Sequence, residues 1–209
     1  MTLRKMILYA IVFLSGTVVL ALEILASRIL QPKFGSSIYV WGSLIAVFMA
    51  GLASGYYLGG HISDRRGSFV RFGLLLLFSA ALIVGLSFCS APVCSMIFRR
   101  LSMDTVERTG PLLASLVLFF VPTTALGTVS PYAVRLFADD PSRLGRQVGA
   151  LYALSTVGSI LGTLGTTFYL ILWMKTSRAI LLLGAIQALL ALIALAYGLL
   201  TRPARRVGC

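Results

Sequence analysis

The sequence predicts an all-α, polytopic membrane bundle of about six transmembrane helices, forming a single domain over residues 1–209. Three observations carry this. Hydrophobic residues make up 58% of the chain and charged residues only 11%, whereas a soluble domain carries about 25% charged residues. Mean hydropathy is +0.96, too high for a surface that water must cover. The apolar residues also gather into six stretches, each near the roughly 20 residues that a helix needs to cross a bilayer.

The stretches run approximately Met6–Leu30, Ile38–Gly60, Phe69–Ser90, Gly110–Pro131, Gln147–Trp173 and Ala179–Leu200. They are too long for strands of a soluble sheet, and they lack the polar–apolar alternation of a membrane β-barrel. Short loops predict that consecutive helices are neighbours in space.

In the first stretch, Arg4 and Lys5 precede an apolar run, as in a secretory signal. The run holds Glu23 and continues well past a signal's apolar core, so a retained first helix is expected. Glu23 is the only carboxylate inside an apolar stretch. An acid at such depth faces protein or water rather than lipid. It reads either as a cation or proton site or as a buried structural acid. Arg28 follows five residues later, about 140° around the helix, and can reach outward to the interface. Tyr39 and Trp41, at the start of the second stretch, fall near the same outer level and are the expected companions of Glu23 and Arg28 in a candidate ion or substrate site.

The second stretch carries Gly51, Gly55 and Gly59 at four-residue spacing, and the fifth carries Gly158, Gly162 and Gly165. Ladders of this kind let helices approach closely in lipid. They serve either static packing or a sliding interface. The third stretch ends near Cys89, Pro92 and Cys94, where a disulfide and two unpaired thiols are both open readings. The fourth contains Pro122 and Pro131 around Gly127, with Thr123, Thr124, Thr128 and Ser130 between them. The prolines break the backbone ladder and the hydroxyls can bond the carbonyls so freed, so a kink is expected near the end of this span.

The 18 Lys+Arg against 6 Asp+Glu give a net charge of +12. In a soluble protein this would raise nucleic-acid binding. Here the cations sit in short loops, where they anchor the chain against anionic lipid headgroups, and no nucleic-acid partner is expected. With the N-terminus inside, eleven of the cations fall in cytoplasmic segments and six in outer loops, with Arg28 at a helix end. The expected location is the inner (plasma) membrane, multi-pass, with both termini cytoplasmic. His61 is the only histidine, and no Cys/His set has the spacing of a zinc site. No cofactor or metal is expected.

The turn Gly59-Gly60-His61-Ile62-Ser63-Asp64-Arg65-Arg66-Gly67 resembles the loop between helices two and three of major facilitator transporters. That resemblance implies a cytoplasmic charge network through Asp64, Arg65 and Arg66, and a bundle resembling half of a major facilitator fold. The run from Glu23 and Arg28 through Gln31-Pro32-Lys33-Phe34-Gly35-Ser36-Ser37 to Tyr39-Val40-Trp41-Gly42-Ser43-Leu44 is similar to the membrane domain of spermidine synthase-like membrane proteins. So are the run Pro122–Pro131 and the run Gly149-Ala150-Leu151-Tyr152-Ala153-Leu154-Ser155-Thr156-Val157-Gly158-Ser159-Ile160-Leu161-Gly162. Such proteins continue into a soluble aminopropyltransferase-like domain, which this sequence does not contain. The expectation is therefore an integral membrane module without synthase chemistry of its own. Nothing in it supplies a nucleophile or general base with an orienting partner. Its expected partners are membrane lipid and either a second copy or a separately encoded synthase-like protein. The alternative is a small transporter for a cationic or polyamine-like solute, a half-size major-facilitator-like bundle acting as a dimer. A membrane enzyme ranks last.

Overall fold

A computed structural model describes residues 3–65, 67–101, 103–137 and 144–201, with the side chains of residues 65, 103, 104 and 144 outside the description. Arg66, Arg143, Arg202, Arg205, Arg206 and Cys209 lie outside the described residues. Among the described residues every regular element is helical: α1 (Leu3–Phe34), α2 (Ile38–Arg65), α3 (Phe69–Arg100), α4 (Met103–Gly127), α5 (Val129–Phe137), α6 (Leu144–Gly165), α7 (Ile171–Trp173) and α8 (Thr176–Leu200). A π-helical turn, Thr166–Leu170, joins α6 to α7. Six units are long and apolar enough to cross a membrane. The fourth is α4 with α5, and the fifth is α6 through α7. The chain is a multi-pass α-helical membrane protein.

Several helices outrun their apolar stretches. α3 continues to Arg100 with Pro92 inside it, where the sequence predicted a loop from Ala91. Proline costs one hydrogen bond, and the extra turns bury Cys94 and pack Val93, Ile97 and Phe98 onto the core. This settles the cysteines. Five residues apart on one continuous helix, Cys89 and Cys94 have Cα atoms about 8–9 Å apart, beyond disulfide reach; Cys89 is exposed, Cys94 is buried, and both are free. α1 ends at Gly35, whose φ of +72° is the left-handed stop that glycine supplies most readily. Its N–H bonds the Gln31 carbonyl at 2.9 Å. The expected break in the fourth span is real. The α-helix stops at Gly127, Thr128 is a turn, and α5 resumes at Val129.

The six spans pack as three close pairs: α2 with α4, α1 with α6, and α3 with α8. The first two pairs are parallel. Gly51, Gly55 and Gly59 meet the Phe120 carbonyl, Thr124 carbonyl and Thr128 in ascending order, while Gly158 and Gly162 meet the carbonyls of Phe13 and Thr17. The third is antiparallel, with Gly73 against Leu195, Gly184 against Val84 and Gly198 against Val70. Five of the six ladder glycines therefore seat a neighbouring helix. Gly165 does not: a Cβ there would meet nothing within 4 Å. It sits at the junction with the π turn, whose extra residue swings the next positions around the axis.

These pairings repeat internally. Exchanging spans one to three for spans four to six turns the α2–α4 pair into the α6–α1 pair and returns α3–α8 to itself. The correspondence reaches single residues: Gly16 packs on Ser155 as Gly127 packs on Leu52, and Gly158 meets the Phe13 carbonyl as Gly55 meets that of Thr124. Each half holds three spans, so the halves run in opposite directions. Their pseudo-two-fold axis lies in the plane of the membrane.

Two apolar clusters fill the bundle. One holds Leu22, Leu25, Phe48, Phe119 and Ile83. The other, nearer the chain termini, holds Leu8, Phe72, Leu76, Tyr132 and Leu190. Phe72 and Tyr132 stack with centroids 5.2 Å apart. The Tyr132 hydroxyl accepts from the Ser68 N–H and donates to the Ser68 carbonyl, both at 3.2 Å, and so ties down the start of α3.

Candidate functional site: a hydroxyl-lined groove at mid-span

Spans one, two, four and five enclose a cavity of about 70 Å³, enough for a few waters or an unhydrated monovalent cation. α1 supplies Ser15, Gly16, Val19 and Leu20, and α2 supplies Leu52 and Tyr56. The break in span four supplies Leu126, Gly127, Val129 and Ser130, and α6 supplies Ser155 and Ser159. The pseudo-two-fold axis passes through it, since the contacts Gly16–Ser155 and Gly127–Leu52 are symmetry counterparts and all four residues line the wall.

The wall presents oxygen. The Ser159 hydroxyl donates to the Gly16 carbonyl at 3.1 Å. The Ser15 hydroxyl lies 3.4 Å from Gln187 Oε1, and Gln187 Nε2 donates to Ser79 at 3.1 Å. Those bonds tie the cavity wall to the α3–α8 pair through Gln187, which is fully buried. The hydroxyls of Tyr56, Ser130 and Ser155 are only partly enclosed and have no hydrogen-bond partner among the described residues. Pro131 has no N–H, so the carbonyl of Gly127, four residues earlier, loses its helical donor at the cavity wall. Hydroxyls also bond carbonyls beside Pro122. The Thr123 and Thr124 hydroxyls bond those of Phe119 and Phe120 at 2.7–3.0 Å.

Glu23 is half-buried and has no hydrogen bond or ion pair among the described residues. Gly16, Leu20, Glu23, Ser27 and Gln31 fall within about 80° of one another around α1. Gly16 and Leu20 line the cavity, whereas Ser27 and Gln31 line a shallower recess with Arg28, Gly35, Ser36, Val40 and Trp41. Glu23 therefore sits on the α1 face between two openings. Leu52 and Tyr56 stand at the level of Leu20, and Trp41 at that of Arg28 and Gln31. Of the four residues predicted to share one site, Arg28 and Trp41 meet in the recess. Glu23 and Tyr39 are not on its wall.

The charged turn also has a place. Asp64 Oδ1 lies 3.9 Å from Arg135 Nε, linking the end of α2 to α5. Both side chains are exposed. Arg66 lies outside the described residues, as does the side chain of Arg65.

Among the described residues no cluster of His, Cys, Asp and Glu could hold a metal ion. Tyr56, Ser130 and Ser155 were not singled out from the sequence as site residues. The available signal was Ser15-Gly16 within an otherwise aliphatic helix, facing Ser155 and Ser159 beside a glycine ladder. Comparison with known protein families, with curated proteins and with solved structures finds no match to this chain.

Proposed function

We propose that this chain is a membrane module of the spermidine synthase-like kind that binds and passes a small cationic solute through the mid-span groove. One observation carries the reading: a cavity with five hydroxyl residues among apolar ones at the crossing of spans one, two, four and five, with the lone intramembrane carboxylate of Glu23 one to two turns away on the same helix face. Unpaired hydroxyls and a carbonyl without its helical donor are costly against hydrocarbon and favourable toward a cation or its water. The wall carries no Lys or Arg that would repel a cation, and Glu23 supplies the nearby negative charge. Broken helices with freed carbonyls at membrane depth are the recurrent way in which transport proteins hold cations.

The excess of Lys and Arg on the side of the chain termini supports an orientation with both termini cytoplasmic, in the inner membrane. The resemblance around Glu23–Leu44 supports a polyamine-like amine as the first solute to try. The test is uptake into proteoliposomes, with spermidine, putrescine and monovalent cations as substrates. Wild type should take up at least one of them. Glu23→Gln keeps the shape, removes the charge, and should cut that uptake at least tenfold while the protein remains folded. Undiminished uptake by Glu23→Gln would overturn the reading, as would failure of wild type on every cation tested.

A further inference from the structure

We infer that the end of the bundle opposite the chain termini carries a binding site for a zwitterionic phospholipid headgroup with a primary amine, in a cavity between the ends of α1 and α3 and the start of α4. The cavity measures about 830 Å³, within the roughly 300–1,000 Å³ of small-molecule pockets. Its wall includes Lys33 and Phe34 from α1, Phe98 from α3, and Val106, Glu107 and Arg108 from α4. It shares no residue with the mid-span groove, and the inference does not rest on the groove reading. The floor is apolar and fixed. Phe34 and Val106 are buried, and the Phe34 ring lies close against Gly110 and meets the Phe98 ring edge-on at 6.3 Å. The Lys33 ammonium lies 5.7 Å from the Phe98 ring centroid. Lys33, Glu107 and Arg108 are exposed around this floor and have no ion-pair partner among the described residues. Adjacent positions on a helix point about 100° apart, so Glu107 and Arg108 do not face each other.

Two cations and one carboxylate around one cavity select the ligand. A lone cation meets Lys33 and Arg108, and a lone anion meets Glu107. A phosphodiester with an attached amine satisfies all three. Its phosphate sits between Lys33 and Arg108, whose guanidinium fork matches two phosphate oxygens. Its ammonium donates to the Glu107 carboxylate. A quaternary ammonium has no N–H to donate. Such a group is held by aromatic faces instead, and Lys33 already occupies a face of Phe98. The helix below the cavity points to a lipid as the source. Arg108, Leu112 and Leu116 share one face of α4 at four-residue spacing, and both leucines are exposed, as are Leu113 and Val117 beside them. This track leads from the cavity rim into span four, where acyl chains lie, and a soluble aminophosphate would leave it unused. The site is therefore shaped and selective, unlike the general attraction of loop cations to anionic headgroups.

The experiment is native mass spectrometry of the detergent-solubilised full chain, offered equimolar phosphatidylethanolamine, phosphatidylcholine and phosphatidylglycerol. Wild type should retain one phosphatidylethanolamine about tenfold over either of the others, the effect of one charge-assisted hydrogen bond. Glu107→Gln should erase the preference for the primary amine over choline while phospholipid is still retained. Arg108→Gln should lower retention of all three by about tenfold, one lost charge-assisted contact. Arg178→Gln removes an exposed cation at the same end of the bundle but outside the cavity, and should match wild type. All three side chains are exposed, so folding is preserved in each variant. Glycerophosphoethanolamine, the headgroup without its acyl chains, should fail to displace the lipid at equal concentration. Equal retention of the ethanolamine and choline lipids by wild type would overturn the inference, as would an unchanged preference in Glu107→Gln or an equal loss in Arg178→Gln. Displacement by the chainless headgroup at equal concentration would overturn the lipid as occupant.

Discussion

The two parallel helix pairs and the antiparallel pair solve the same packing problem with different materials. In α2–α4 and α1–α6, glycine faces backbone: the Thr124 carbonyl and Gly127 receive Gly55, and the Thr17 carbonyl receives Gly162. In α3–α8, the glycines receive mainly side chains: Leu195 over Gly73 and Val84 over Gly184. Backbone against backbone leaves carbonyls, hydroxyls and a helix break at the surface of contact, which is where the groove forms. Side chain against glycine leaves an oily seam whose buried polar bridge is Gln187 to Ser79, joined to Ser15 of α1, with Ser87 bonding the Ser177 carbonyl at an exposed position. The lesson is that polarity at mid-span follows from how closely two backbones approach, and only secondarily from which polar residues are present.

The sharpest break of this contrast is Gly55→Leu or Gly162→Leu. A side chain there must push apart two backbones that cannot repack, and the expected loss is at least about 3 kcal/mol, the upper range for overpacking. Loss of monodisperse protein on size-exclusion chromatography would show it. Gly165→Leu, on the same ladder by spacing but facing open space, should leave yield and elution unchanged. Next is Gly73→Leu. Its first obstacle is the Leu195 side chain at 2.6 Å, which can move, so a smaller loss of about 1–2 kcal/mol is expected from thermal unfolding in detergent. Normal stability of Gly55→Leu alongside a collapsed Gly73→Leu would reverse the comparison.

Replacing the polar bridge sharpens it further. Gln187→Leu removes both of its hydrogen bonds and strands Ser15, while Ser79 keeps its bond to the Leu76 carbonyl at 2.8 Å. Interhelical bonds in membranes are worth on average about 0.6 kcal/mol each, so a shift of about 1 kcal/mol is expected, readable as a lower unfolding midpoint. Smallest of all is Asp64→Asn. Its partner Arg135 is 3.9 Å away and both side chains are exposed, so the change in stability should fall below about 0.5 kcal/mol. A large effect would mean that the turn holds the end of α2 through more than this pair.

Much of the fold was legible because bilayer thickness dictates the length of an apolar run. Six runs meant six spans, and Pro122, Gly127 and Pro131 marked a break that the structure places at Thr128. Helix ends were less legible. Cys94, Ile97 and Phe98 belong to α3 because they face a core, and hydropathy cannot distinguish a buried apolar turn from a short loop. The partner helices of the glycine ladders were not legible at all, because spacing gives a face and no neighbour. The site was half legible. Glu23 stands out by charge, but the levels at which α1 and α2 meet fix its surroundings. Those levels put Trp41 beside Arg28 and leave Tyr56, an unremarked aromatic, beside Leu20.

The in-plane axis through the groove has a consequence for direction. On the proposed transport reading, a movement of spans one to three that opens the cavity toward one face has a counterpart, built from spans four to six, that opens it toward the other. A perfectly repeated molecule would show no preference between the two. This one departs from its own repeat at identifiable places. The span-four break at Thr128 falls in one half of the contact pattern, and the π turn at Thr166–Leu170 falls within span five, whose counterpart α2 is unbroken. Glu23 likewise has no acidic counterpart inside the fourth span. On the same reading, these departures bias which face the groove opens toward, while the solute gradient sets the direction of net movement, so making the halves more alike should bring the two open populations closer to equal.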